Sequence, residues 1–231
     1  MSNPYGTLVL FGGEARGHED LGRTLLKIAG GSRVAIVPMA SAFTHPEETT
    51  IVVAGWLEAL GAEVEGVMAL SRTEADVEDL AARLDDADLI FVTDGSALHL
   101  RTTLKATALH AHLLAALESG RVVAASGAGA TVFCDPMVDP RGGAPTVGLG
   151  PITAFTVVAH VGDDPDDVHL DKLHRTIELA PKDLPVVALP MRTGIVCRPD
   201  GTYEVIGDGQ VTVYLGGQAV EAGVAALPAW R

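Results

Sequence analysis

The residues most able to do chemistry sit where apolar runs end in small or polar residues. The clearest case is Arg121–Ala125 (RVVAA) running into Ser126-Gly127-Ala128-Gly129-Ala130 and then the apolar stretch Thr131–Cys134. A buried strand entering a cluster of very small residues before a helix is the form of a nucleophile elbow, where the backbone turns back close to itself. A tight turn needing glycine for packing or positive φ would read the same way. His160 is the general-base candidate for any nucleophile there, and Asp139 or Asp135 could orient it, although both also suit a solvated loop. Three further strand ends carry small or polar residues: Gly12-Gly13-Glu14, Met39-Ala40-Ser41 and Thr93-Asp94-Gly95-Ser96. The group His160, Asp163, Asp164, Asp166, Asp167, His169, Asp171 and His174 is rich in potential ligands, but no pair has the focused spacing of a hydrolase zinc motif. Asp166 and Asp167 read better as a helix start, where carboxylates meet the positive end of the dipole. No metal and no cofactor are expected. Cys134 reads as a small core residue.

The elements that must position these groups follow an alternating rhythm. Strands are predicted near residues 8–11, 33–38, 63–68, 88–92 and 121–125, with helices over Leu21–Ala29, Pro46–Leu60, Glu74–Leu84 and Leu109–Leu117 between them. Apolar strands alternating with helices of this length predict βαβ units, hence a mainly parallel sheet covered on both faces. After residue 185 the pattern changes to short strands with a hairpin signal at Asp200-Gly201, which predicts an antiparallel extension of the same sheet. In such a sheet, ligands bind outside the carboxyl ends of the strands. Gly13, Gly95, Ser96, Ser126, Gly127 and His160 are therefore expected around one concavity. With no linker-like stretch and no internal repeat, the whole chain, 1–231, reads as one domain.

Thirty acidic against 16 basic residues give a net charge of −14, and aromatic residues make up 4%. Such a surface repels phosphate backbones and anionic membranes and offers few stacking platforms, so nucleic acid is excluded as an expected partner. No run of about 18 apolar residues signals a membrane span, and the first residues lack a basic n-region. Two isolated cysteines make no disulfide framework. A cytoplasmic location is expected.

The order of the motifs resembles the cyanophycinase and α-aspartyl dipeptidase family of serine peptidases. LVLFGGE is similar to the family's opening strand and Gly-Gly loop, and RVAIVPMAS to its second strand ending in Pro-x-Ala-Ser. The segment Ala87–Gly120 resembles its Gly-Gly-x-Gln block, Val122–Met137 its Gly-Thr-Ser-Ala-Gly-Ala elbow, and Gly148–His160 the stretch ending in Asp-Gln-His. The resemblance implies a flavodoxin-like fold of the class I glutamine amidotransferase type, and hydrolysis of peptide bonds involving aspartate by a serine, a histidine and an acidic residue. The departures are equally specific. The ungapped match puts Gly127 on the nucleophile; sliding by one residue would put Ser126 there. The glutamine is replaced by Ala97, and the Asp-Gln before His160 reads Val158-Ala159. Two functions follow. One is a diverged protein without serine-peptidase chemistry, binding a small polar molecule, a peptide or a protein partner around Gly13, Gly95, Ser96, Gly127 and Ala128, with a homodimer compatible. The other is an active hydrolase using Ser126 with His160 and Asp139, and Gly95 and Gly127 N–H groups as oxyanion donors. The first expects residue 127 at the turn apex, with Ser126 facing away from His160.

Overall fold

The computed structural model describes residues 5–13, 16–162 and 168–230. Thirteen strands are formed among them, β1 (Leu8–Phe11), β2 (Arg33–Val37), β3 (Glu63–Gly66), β4 (Leu89–Val92), β5 (Val122–Ser126), β6 (Met137–Val138), β7 (Pro145–Thr146), β8 (Thr156–Val161), β9 (Val186–Pro190), β10 (Thr193–Cys197), β11 (Tyr203–Gly207), β12 (Thr212–Leu215) and β13 (Gln218–Ala219). The helices are α1 (Glu19–Ala29), α2 (Pro46–Glu58), α3 (Arg72–Ala75), α4 (Glu78–Ala81), α5 (Ala97–Leu104), α6 (Ala108–Glu118), α7 (Ala128–Val132) and α8 (Val168–Leu179).

The main sheet has the order β11-β10-β1-β5-β4-β2-β3. Strands β1 to β5 pair in parallel, and β10 and β11 add an antiparallel edge. The period of two along each strand divides the core cleanly. Leu8, Leu10, Val123 and Ala125 join one apolar cluster with α5 and α6, while Val9, Phe11, Val122 and Ala124 join another with α1 and α2. Both faces are thus covered, as near-continuous apolar strands require.

Three expectations need correction. The C-terminal strands do not all extend the main sheet: β9 leaves it and forms a second sheet, β13-β12-β9-β8, in which β9 pairs parallel with β8 and antiparallel with β12. The helix expected over 74–84 is broken into α3 and α4. Ser71 and Glu74 form a capping box that starts a helix one turn long, and Val77 then takes an extended conformation (φ −80°, ψ 113°) before α4 begins. Asp76 accepts a hydrogen bond from Ala108 N at 3.2 Å instead of continuing the helix. The strand expected over 63–68 ends at Gly66.

Candidate active site

The turn from β5 into α7 is centred on Gly127, with φ +49° and ψ −102°. No side chain takes that conformation without strain, and glycine relieves it. Residue 127 therefore occupies the apex. Its N–H donates to Phe11 O at 2.9 Å, which pins the turn to the end of β1. Alternation along β5 puts Ser126 on the face of Val122 and Ala124, towards α1 and α2. There it lines a cavity of about 260 Å³ together with Val53, Phe91 and Thr93. His160 and Gly127 line a different cavity, of about 270 Å³, with Ser96, Ala97 and Lys172 on the other face. The expected single concavity is therefore two, with Gly95 on both.

Asp94 completes the site, and sequence reasoning placed it in a strand-end loop without giving it a role. Its Oδ1 accepts the N–H of Gly95 and of Ala128, each at 2.7 Å, and its Oδ2 lies 2.5 Å from His160 Nε2. The Asp94 side chain is 33% exposed and that of His160 23%. Burial pushes the Asp94 carboxyl up, but the hydrogen bond and charge of His160, with the Ala128 and Gly95 N–H groups, outweigh it and hold the group below its ordinary value. A Cβ built on Gly127 would fall far inside contact distance of the Asp94 carboxyl carbon and both its oxygens. The carboxylate thus fills the space that an apex side chain would need, and it takes the N–H of Ala128 just after the apex and of Gly95 in its own loop. The signal for it was available in the resemblance, as an Asp where the family pattern has Gly and a Gly where it has Ser.

The surroundings fix this carboxylate. Ser41 Oγ donates to Asp94 O at 2.8 Å, and Ser96 N donates to Ala40 O at 2.7 Å. Gly95, at φ +146°, lets the loop pass against the Ala40 carbonyl, where a Cβ would collide. His160 sits at a register shift between Ala159 and Val161, in the left-handed region at φ +61°, with its N–H donating to Gly12 O at 2.8 Å. A bulge re-aims a side chain, and here it turns the imidazole out of the β8 ladder towards Asp94. Gly13 permits the approach, because a Cβ on it would lie 2.7 Å from His160 Nε2.

Asp139 does not orient His160. Its carboxylate is taken by Arg141, through Nε at 3.0 Å and Nη2 at 2.7 Å, and the Arg141 hydrogen bond holds its carboxyl below the ordinary value. Asp135 Oδ1 accepts from Gly148 N at 3.1 Å. Cys134 is fully buried, and burial pushes its thiol up to about 12. Glu14, Asp163, Asp164, Asp166 and Asp167 lie outside the described residues; among the described ones no cluster of His, Cys, Asp or Glu could hold a metal. No helix of the described residues is long and apolar enough to cross a membrane.

A parallel α/β sheet with a strained strand-to-helix elbow at its carboxyl edge, and a histidine aimed at that elbow, is the frame of a hydrolase of the serine-peptidase type. The chain belongs to peptidase family S51, whose model matches residues 8–201. It is 30% identical over 194 residues to Peptidase E of Streptomyces coelicolor, a match covering 78% of this chain and 73% of that protein. In fold it is similar to the crystal structure of a peptidase from an acI-B1 Actinobacterium, with a TM-score of 0.83 at 22% identity over 99% of this chain and 98% of the other. A second likeness is to a putative Peptidase E protein from Listeria monocytogenes EGD-e, with a TM-score of 0.63 at 18% identity over 89% of this chain and 100% of the other.

Proposed function

We propose that this chain is a diverged member of family S51 that performs no serine acyl transfer and uses the cleft around His160 to bind a small polar molecule or a short peptide. The observation that carries the reading is the Asp94 carboxylate, seated against the Gly127 apex and hydrogen-bonded to Gly95 N and Ala128 N. Acyl transfer at this elbow requires an apex nucleophile and free N–H donors for the developing oxyanion. Glycine supplies no nucleophile, and the donors already hold a full negative charge. A carbonyl oxygen entering the turn meets a carboxylate instead of an oxyanion hole. The cleft itself persists, about 270 Å³ in size, with a largely apolar wall of Val138, Val157 and Ala159 and polar groups at Ser96, Thr131 and Lys172. That combination suits ligand binding.

The alternative, a hydrolase using Ser126 with His160, is disfavoured by Ser126 opening into the other cavity and by His160 pairing with Asp94. A soluble, cytoplasmic protein suits the acidic composition. The test is a fluorophosphonate probe followed by mass spectrometry of the labelled peptide, alongside an assay on aspartyl dipeptides. The reading expects no label and no turnover. Stoichiometric label at Ser126, with turnover lost in Ser126→Ala, would overturn it.

A further inference from the structure

We infer that the outer edge of β11 is a docking site for an extended basic segment of another protein, bound by strand addition. The site shares no lining residue with the His160 cleft and does not depend on the ligand proposed there. Strand β11 ends the main sheet, and among the described residues it pairs with β10 alone. Arg198 N donates to Thr202 O at 2.9 Å, so the bonded pairs alternate from there, Val196 with Glu204 and then Gly194 with Ile206. The N–H and C=O groups of Tyr203, Val205 and Gly207 therefore point away from the sheet, and no backbone partner meets them among the described residues. Such a row of unpaired groups is a template for another strand. Val205 is 39% exposed, so the middle of this edge is open to solvent.

Charge selects the occupant. A trough of about 440 Å³ separates β11 from the first turns of α1. Glu19, Asp20, Glu204 and Asp208 line it beside the buried Leu21 and Ile206, and its lining includes no Lys or Arg. Arg23 meets Glu19 at 2.9 Å and Arg198 is bonded to Glu204, but Asp20 comes only within 4.0 Å of Arg23, and Asp208 has no ion pair among the described residues. The opposite edge strand, β3, carries its own countercharges, with Arg83 on Glu65 at 3.2 Å and Arg33 on Asp88 at 3.4 Å. A second copy of this chain would bring the same four carboxylates to β11, and like charges across a strand pair are destabilising. A basic strand brings the missing countercharge. Side chains alternate along a strand: Glu204 and Ile206 face α1 and the trough, while Tyr203 and Val205 face the other way. The occupant therefore carries Lys or Arg at every second position, over the trough, with apolar residues between them beside Val205.

The experiment titrates the ¹⁵N-labelled intact chain with acetyl-Lys-Val-Lys-Val-Lys-amide to about 5 mM, the weak end of measurable affinity. Amide shifts are expected along Tyr203–Gly207 and at Glu19 and Asp20, with slowed hydrogen exchange at Val205 and Gly207. The block peptide Lys-Lys-Lys-Val-Val has the same composition without the alternation and should bind about fivefold more weakly or worse, as loss of at least one ladder contact implies. Glu-Val-Glu-Val-Glu should not bind. Val205→Pro removes one outward N–H and spares the bonds to β10, a place where an edge strand accepts proline; it should weaken binding about fivefold, the loss of one neutral hydrogen bond. Asp20→Asn/Glu204→Gln/Asp208→Asn keeps the backbone edge and should weaken binding about tenfold while flattening its salt dependence. Thermal midpoints check that each variant is folded, and the carboxylate variant carries the test if Val205→Pro is not. Absence of shifts along β11, equal binding of the block or acidic peptide, or unchanged binding in the folded variants would overturn the assignment. A concentration-dependent dimer that Val205→Pro makes monomeric would also overturn it, because the edge would then belong to a second copy.

Discussion

Restoring a serine at the apex, Gly127→Ser, tests whether Asp94 and Gly127 act as one unit. Two costs are expected. The apex φ of +49° with ψ −102° penalises any side chain by about 1–3 kcal/mol. The new Cβ also runs into the Asp94 carboxylate, and forcing atoms into a filled space costs a further 1–3 kcal/mol or so. The single variant should therefore lose about 2–6 kcal/mol, a large part of the roughly 5–15 kcal/mol that holds a domain folded. Asp94→Gly alone removes the acceptor for Gly95 N and Ala128 N and the partner of His160, at about 1–3 kcal/mol. In the double variant Asp94→Gly/Gly127→Ser the collision is gone and the apex strain remains. The two changes should couple favourably by about 1–3 kcal/mol, within the range that contacting residues show. Urea unfolding of the four proteins closes the cycle, with constant m-values as the control for two-state behaviour. Fluorophosphonate labelling at position 127 should appear in the double variant more readily than in Gly127→Ser alone, because only there are the two N–H groups free. Additivity of the two changes within about 0.5 kcal/mol would refute the idea that the carboxylate stands where the apex side chain would.

Three further outcomes are expected. His112 lies between Asp85 and Glu78, at 2.8 Å and 3.0 Å, and its hydrogen bonds to Asp85 and then Glu78 raise its pKa above 6.5; a raised folded pKa gives stability that is full below the unfolded value and lost as pH rises through the folded one, so the thermal midpoint should fall across that interval in the native chain and fall less in His112→Gln. His160→Ala removes a hydrogen bond and a positive neighbour from Asp94, so the carboxyl should titrate higher in a ¹³C NMR experiment, and an unchanged titration would refute the pairing. Cys134, pushed up to about 12, and Cys197, also raised by burial, should resist iodoacetamide in the native protein and react after unfolding, and rapid native alkylation of either would contradict their burial.

The parallel sheet was legible because β1, β2, β4 and β5 are short apolar runs separated by helical spacing, and burial on both faces leaves that trace in composition. The elbow was legible for a different reason, since only glycine and alanine suit its crowding. The second sheet was not. Strand β9 has the same apolar composition as the main-sheet strands, and nothing in Val186–Pro190 states that its parallel neighbour is β8. The short α3 and α4 were misread as one helix because their acidic residues recur at helical spacing, while the extended Val77 between them is set by the capping box at Ser71 and by Asp76 reaching Ala108. The bulge that aims His160 was equally silent, because a left-handed histidine looks like any other histidine in a sequence.

Asp94 shows where local reading stops and topology takes over. The substitution of an acid for a glycine in one loop and of a glycine for a serine in another look like two independent losses, 33 positions apart. The sheet places them side by side. Strands β4 and β5 are parallel neighbours in the register Val92↔Ala125. Two residues beyond that pair on each chain lie Asp94 and Gly127, so equal steps from a paired position bring the two loops side by side. A carboxylate can enter only if the facing position has no Cβ, and a glycine there leaves a gap beside two donors unless something fills it. Each change makes the other tolerable. The retained strain at Gly127 and the left-handed His160 fit the same account: the elbow and the aimed histidine persist, and the charge that an acyl-transfer site would develop only during reaction is instead built in as a permanent side chain. Under the proposed function, the filled apex and the absence of serine acyl transfer are the same structural feature, which is why neither Asp94 nor Gly127 can be interpreted without the other.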